Sequence, residues 1–287
     1  MKIDINYIAR VEGESSVKLE IEEGKLKELR LNIWEPPRFF EGFLVGRKFD
    51  EVPDIVARIC GICPVSHMTT AIRAMENAFG LTPSPEVKKI RKILALSQIL
   101  SSHLAHLYVL ALPDFFRLNS IVEMLPHFEK EIKRFLRLKE AANSITALFG
   151  GRALHPVSMV VGGFTKVPSK ADTEKAVKEL ESLHEDALET LKMASELKCP
   201  ALENNAEFVA LKGKDEYAIN GGMISSTKGL NIEEHEYASY FIEEEVPYSN
   251  AKRTILKDRG SLMAGALSRI NLGFDNLLPD AKKASED

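Results

Sequence analysis

The amino-acid sequence predicts an α+β chain, mainly helical, with an N-terminal antiparallel sheet, then a bundle of long helices, then a β-rich C-terminal section. Three patterns carry this prediction. Apolar and polar residues alternate with a period of two before Pro36-Pro37, helical spacing takes over from Phe39 to about Lys198, and short apolar runs separated by glycine turns return beyond Ala201. At 287 residues, 45% of them hydrophobic, the chain can bury a sizeable core without disulfide staples.

Each element follows in order. Lys2 to Ile8, Ser16 to Ile21 and Lys25 to Trp34 read as strands, with Glu23-Gly24 as a tight turn between the last two. Pro36-Pro37 ends that sheet. Val65, Met68, Ile72, Met75 and Phe79 line one face of a helix from Pro64 to Phe79, and Gly80 stops it. The next helix takes Ser84 as N-cap and Pro85 as first residue and runs to Pro113. A third runs from about His127 to Phe149 and stops at Gly150-Gly151. A fourth opens after Ser169 and runs from Lys170 to Lys198, with Ala176, Leu180, Leu183, Ala187 and Leu191 on its apolar face. Asn220-Gly221-Gly222 and Lys228-Gly229 mark hairpins in the last section, and the charged tail from Asp280 to Asp287 carries no convincing element.

A net charge of −4 gives no sign of a nucleic-acid or membrane partner. Ile93 to Pro113 lacks Asp, Glu, Lys and Arg, yet Ser97, Gln98, Ser101, Ser102, His103 and His106 interrupt it, so a buried core helix is expected rather than a membrane span. The first residues are mixed in charge and lack the apolar run of a signal peptide. Three cysteines, two of them in Cys60-Gly61-Ile62-Cys63, do not make a secreted disulfide framework. A cytoplasmic, reducing location with metal or redox work is the expectation.

Cys60 and Cys63 are the chemical centre. Pro64 suits the first position of a helix, which places Cys63 at the N-cap, where the helix dipole favours a thiolate. Gly61 is expected to let the backbone bend so that both sulfurs converge. His67 lies four residues on, on the same face, placed to hydrogen-bond the Cys63 sulfur; the alternative is direct ligation in an incomplete Cys₂His zinc site. Thiolates select zinc, nickel, copper or iron–sulfur clusters. Cys199 stands alone and reads as a helix-end residue; His103 and His106 read as core histidines.

The run Arg58-Ile59-Cys60-Gly61-Ile62-Cys63-Pro64-Val65-Ser66-His67 resembles the N-terminal metal-binding signature of nickel–iron hydrogenase large subunits, and its Cys-Pro variant resembles cytoplasmic members. Arg10-Val11-Glu12-Gly13, Pro37-Arg38-Phe39-Phe40-Glu41 and Gly150-Gly151-Arg152 with His155-Pro156 resemble further motifs of that family, in order. The resemblance implies an oxidoreductase that reversibly oxidises dihydrogen. Cys60 would be a terminal nickel ligand, Cys63 would bridge nickel and iron, and the iron would hold CO and cyanide. His67 would bond the bridging sulfur. Glu12 would relay the proton, from a partly buried carboxyl; Glu41 would bind magnesium; Asp114 would stand near the dimetal site. Their plainer readings are a strand-end surface carboxylate, a surface ion pair and a helix-end residue. The implied partner is an iron–sulfur small subunit, with further electron-transfer subunits.

The family's second motif, Asp-Pro-Cys-x-x-Cys-x-x-His, does not occur here. The chain is therefore expected to be one domain over residues 1–287, an incomplete large-subunit fold truncated at its C-terminus, with half of the metal site and a need for a complementing C-terminal segment. A catalytically silent scaffold is the competing function.

Overall fold

A computed structural model describes residues 1–199, 201 and 205–286. The chain divides into two compact units, Met1–Glu41 together with Ala201–Asp287, and Gly42–Pro200.

The first unit begins with an antiparallel meander of β1 (Lys2–Ile5), β2 (Ser15–Glu22) and β3 (Lys25–Ile33), in that spatial order. Val17 faces Leu31 and Leu19 faces Leu29 across the second pairing. Glu23 (φ 52°) and Gly24 (φ 75°) are both left-handed, as the favoured two-residue hairpin turn requires. β1 is shorter than its alternation suggests. The connection to β2 turns through left-handed Arg10 (φ 65°) and Gly13 (φ 87°) instead of extending the strand.

The second unit is helical. It takes up from α1 (Pro37–Leu44) and continues through α2 (Val52–Ala57), α3 (Pro64–Phe79) and α4 (Pro85–Ala105). The predicted stops and starts hold here: Gly80 is left-handed at φ 67°, and the Ser84 side chain accepts from the Val87 amide. Beyond Ala105 the same helix runs through a π-helical turn, His106–Ala111, into α5 (Leu112–Phe115). In that turn the Leu112 amide reaches back to the Leu107 carbonyl, and the wider ladder accommodates the Pro113 ring against the turn before it.

α6 (Ile121–Met124) and α7 (Glu129–Gly150, capped by left-handed Gly151) follow. α4 and α7 form the core pair, with Leu94, Leu104, Tyr108, Leu138, Ala142 and Ile145 buried. The Pro85–Phe115 helix is long and apolar enough to cross a membrane by length and composition; a third of its most apolar stretch is buried, on the face that meets α3 and α7. His103 and His106 fall on the exposed side of it, contrary to the core reading.

A short hairpin, β4 (Met159–Val160) with β5 (Gly163–Phe164), precedes the last helices. The expected single helix from Lys170 to Lys198 is two, α8 (Lys170–Ser182) and α9 (His184–Ser195), broken at Leu183. No glycine or proline marks the break. It lets Leu183, Met193 and Leu197 pack on the cluster around Tyr108 and Phe135, while α9 sets Asp186 against Arg137 and Thr190 against the Tyr108 hydroxyl.

The rest of the first unit is a six-stranded sheet. Its strands are β6 (Glu207–Lys212), β7 (Met223–Ser226), β8 (Asn231–Ile232), β9 (Phe241–Glu244, entered through α10, Tyr237–Tyr240), β10 (Arg253–Leu256) and β11 (Gly260–Met263). The order is β8-β7-β6-β11-β10-β9, antiparallel except between β6 and β11. The loop before β10 ties it to β3: Ser249 Oγ accepts the Ile33 amide at 3.2 Å, and the Asn250 amide donates to the Ile33 carbonyl at 2.9 Å. α11 (Ala266–Gly273) and α12 (Pro279–Glu286) close the unit, so the charged tail is helical where the sequence suggested no element. Proline at the first position and Asp280 in the first turn are what start it.

Candidate metal centre

The six residues between α2 and α3 fold into a turn organised by sulfur. Cys60 Sγ accepts two backbone amides, from Ile62 at 3.3 Å and from Cys63 at 3.2 Å. Both bonds lie within the same turn. They also close the turn without help from Gly61, which is not left-handed and has open space where a side chain would be. The expectation that Gly61 supplies the bend is therefore corrected; the amide–sulfur bonds supply it.

Cys63 is the N-cap of α3 and Pro64 its first residue, as expected. His67 Nε2 lies 3.5 Å from Cys63 Sγ. Burial holds the His67 pKa below its usual 6.5, so the ring is neutral at neutral pH and can present an N–H to the sulfur. Both cysteines are half-buried. Among the described residues no three His, Cys, Asp or Glu side chains converge into a metal-holding group.

Two side chains from elsewhere hold this turn, and the sequence reading missed both. Gln98 of α4, nearly buried, accepts the Val65 amide at 2.6 Å and the Ser66 amide at 3.3 Å, and donates to Ser66 Oγ at 2.7 Å. His155 Nδ1 donates to the Ala57 carbonyl at 2.7 Å, at the end of α2. The loop bearing His155 is tightly built: Arg152 Nε donates to the His155 carbonyl, and a side chain at Gly150 would meet Pro156 at 2.8 Å. The readable signal for Gln98 was a polar residue on the face of α4 that helical spacing assigns to the core, seven residues after Arg91.

The structure brings Cys60, Cys63 and His67 together in one unit. Asp114 is exposed in α5, sixteen residues beyond Gln98 along the same helix and roughly 20 Å of rise away. Glu12 and Glu41 belong to the other unit, Glu41 exposed on α1. Glu12 is exposed as well, not partly buried, because the connection that carries it runs over the surface.

Comparison with known proteins gives the family of the chain. A sequence model of the nickel-dependent hydrogenase family matches residues 38–135. The alpha subunit of sulfhydrogenase 1 from Pyrococcus furiosus is 35% identical over 288 residues, covering 100% of this chain and 67% of its own length. The alpha subunit of sulfhydrogenase 2 from the same organism is 33% identical over 292 residues, again with 67% of its length covered. Among solved structures, an NAD+-reducing [NiFe]-hydrogenase in the H2-reduced state superposes with a TM-score of 0.84 at 23% identity, over 94% of this chain and 66% of that one. The [NiFeSe]-hydrogenase of Dm. baculatum gives 0.77 at 21% identity. At those identities the structures speak for the fold. The chain spans about two thirds of the length of these relatives, and the 35% identity held across that span shows that it belongs to the nickel-dependent hydrogenase family, among the large (alpha) subunits.

Proposed function

We propose that this chain is the catalytic large subunit of a nickel–iron hydrogenase, working as a single domain and contributing half of the metal-site thiolates to the reversible oxidation of dihydrogen. The observation that carries the reading is the turn at the start of α3, where two cysteines are held within one hydrogen-bonded loop and His67 lies beside the second. Two soft thiolates suit nickel and iron. They do not complete a site, so the other donors come from polypeptide outside these residues, a complementing C-terminal segment.

Cys60 would hold nickel, and Cys63 would hold nickel and iron. A nickel–iron centre with CO and cyanide on iron supplies the Lewis acidity that polarises dihydrogen. His67 holds its ring N–H toward the Cys63 sulfur and limits the charge on it. Glu12 receives the released proton and, being exposed, can pass it to solvent. Glu41 is the magnesium ligand of the reading, and Asp114 stands further from the cysteines as a polar neighbour of the site. An iron–sulfur small subunit would accept the electrons, with further electron-transfer subunits beyond it. A cytoplasmic location suits the free thiols.

The test is made in the assembled enzyme. Cys60→Ser and Cys63→Ser should each lose nickel and H2 oxidation together. Glu12→Gln should keep nickel and lose H/D exchange with H2. Full nickel in either cysteine variant ends the ligand reading, and undiminished exchange in Glu12→Gln ends the relay.

A further inference from the structure

We propose that Gln98 is a positioning residue for the cysteine pair: it caps α3 from outside the helix, so that the Cys63 sulfur is not drawn into capping and stays beside His67. The first turn of any helix has amides with no partner inside the helix. Ordinarily the N-cap side chain accepts from the second or third residue. In α3 the N-cap is Cys63, and its side chain makes no capping bond. Pro64 has no amide to satisfy. The Val65 amide goes to Gln98 Oε1 at 2.6 Å, and the Ser66 amide is shared between the same oxygen at 3.3 Å and the Cys63 carbonyl at 3.2 Å.

Three features make this a built arrangement. Val65 is fully buried and Gln98 nearly so, which keeps water from replacing the missing acceptor. The Gln98 amide is fixed in orientation, because its nitrogen donates to Ser66 Oγ while its oxygen accepts the two amides. It also arrives from α4, 32 and 33 residues further along the chain. If the oxygen is removed, the buried Val65 amide loses its acceptor, and the side chain placed by the helix N-cap position to replace it is that of Cys63. A sulfur turned onto the helix amides gives up its place beside His67, and with it the orientation toward a metal shared with Cys60.

The inference rests on Cys63 being a metal ligand, and two measurements separate its failure from the failure of that reading. The first is a stability cycle on the full chain. Gln98→Leu should lower Tm, and adding Cys63→Asp, an N-cap residue able to accept both amides, should restore most of the loss. Cys63→Asp alone should change Tm little, since Gln98 already serves those amides. A packing role for Gln98 would show no such rescue. If Gln98→Leu fails to fold and the double variant fails as well, the proposal is overturned.

The second measurement titrates Cd2+, a soft thiolate-seeking ion, into the full chain carrying Cys199→Ser, and follows the sulfur-to-metal absorption. The parent should show a two-thiolate band that Cys60→Ser and Cys63→Ser each reduce. Gln98→Leu should weaken Cd2+ binding about 10- to 100-fold, the loss typical when groups that orient metal ligands are removed. Gln98→Glu, which keeps the acceptor oxygens, and Ser66→Ala, which keeps the cap, should bind as the parent does. No band in the parent removes the ligand reading and takes this inference with it. Parent-like binding by folded Gln98→Leu removes the inference alone.

Discussion

The two ends of α3 are held by the same neighbouring helix in different ways. At the C-terminal end, Arg91 of α4 makes a two-pronged bond to Glu76, at 2.8 and 2.6 Å, and the Gly162 amide adds a third bond to the carboxylate at 2.7 Å. Both side chains are almost fully buried, at 3% and 4% exposure. At the N-terminal end, Gln98, two turns along α4 from Arg91, binds only backbone amides and one hydroxyl. One end is a lock in which every charge is opposed. The other is a neutral support that places no charge beside the two thiols and the imidazole. A charged lock at the cysteine end would compete with a metal for the sulfurs, so the difference shows how one helix pair can be rigid and still present a reactive turn.

The largest effect should come from breaking the lock. Glu76→Gln or Arg91→Leu leaves a buried charge without its partner, and about 3–5 kcal/mol of stability should be lost in denaturant unfolding. A loss below about 1 kcal/mol would show that the site takes up water and that the lock is not one. The pair also sets a pH dependence. Burial alone would raise the Glu76 pKa, but the bonds from Arg91 and Gly162 and the charges of Arg91 and Arg73 outweigh it and hold the pKa below the usual 4.5. The unfolded chain therefore binds this proton first. The stabilisation is complete above about pH 4.5 and is lost as pH falls through the lower folded value. Removing the carboxylate by Glu76→Gln should flatten this part of the acid-stability curve.

The neutral support should matter less to stability. Gln98→Leu leaves the buried Val65 amide without its acceptor, at about 1–3 kcal/mol, while the Ser66 amide keeps the Cys63 carbonyl. If the loss equals that of Glu76→Gln, the two ends are equivalent and the contrast fails. His67→Ala should change global stability least of the three, because the ring is half-buried and bonds a sulfur rather than a charge. Its effect should be read in metal affinity, about 10-fold weaker for Cd2+.

What could be read from the sequence follows the same division. The Cys63 cap, the Pro64 start and the His67 contact span four residues, and helical geometry alone places them. The Glu23-Gly24 turn and the Gly80 stop were legible for the same reason, since each needs a left-handed residue and has one. The roles of Gln98 and His155 were not legible, because their partners lie 33 and 98 residues away. The break at Leu183 was hidden because it answers to the core around Tyr108 and not to any local breaker. The exposure of His103, His106 and Glu12 depends on which face each segment turns to its neighbours, which composition does not fix. The roles of Glu12, Glu41 and Asp114 came from family resemblance alone, and no local pattern stood behind them.

The smallest expected effect tests whether burial, rather than geometry, makes the Glu76–Arg91 lock strong. Arg137 and Asp186 have comparable geometry, with the guanidinium reaching both carboxylate oxygens at 2.8 and 2.6 Å to dock α9 on α7. The Arg137 hydrogen bond lowers the Asp186 pKa despite some burial. However, the Arg137 side chain is 51% exposed, and water and salt screen what the bonds contribute. Asp186→Asn should therefore lose only about 0.2–1 kcal/mol, and a double-variant cycle with Arg137→Met should give a coupling in that range that shrinks further in high salt. The Glu76–Arg91 pair, with no solvent around it, should keep its coupling in the same salt. If both pairs give the same salt-insensitive coupling, two-pronged geometry is sufficient and burial is not what distinguishes the locked end of α3.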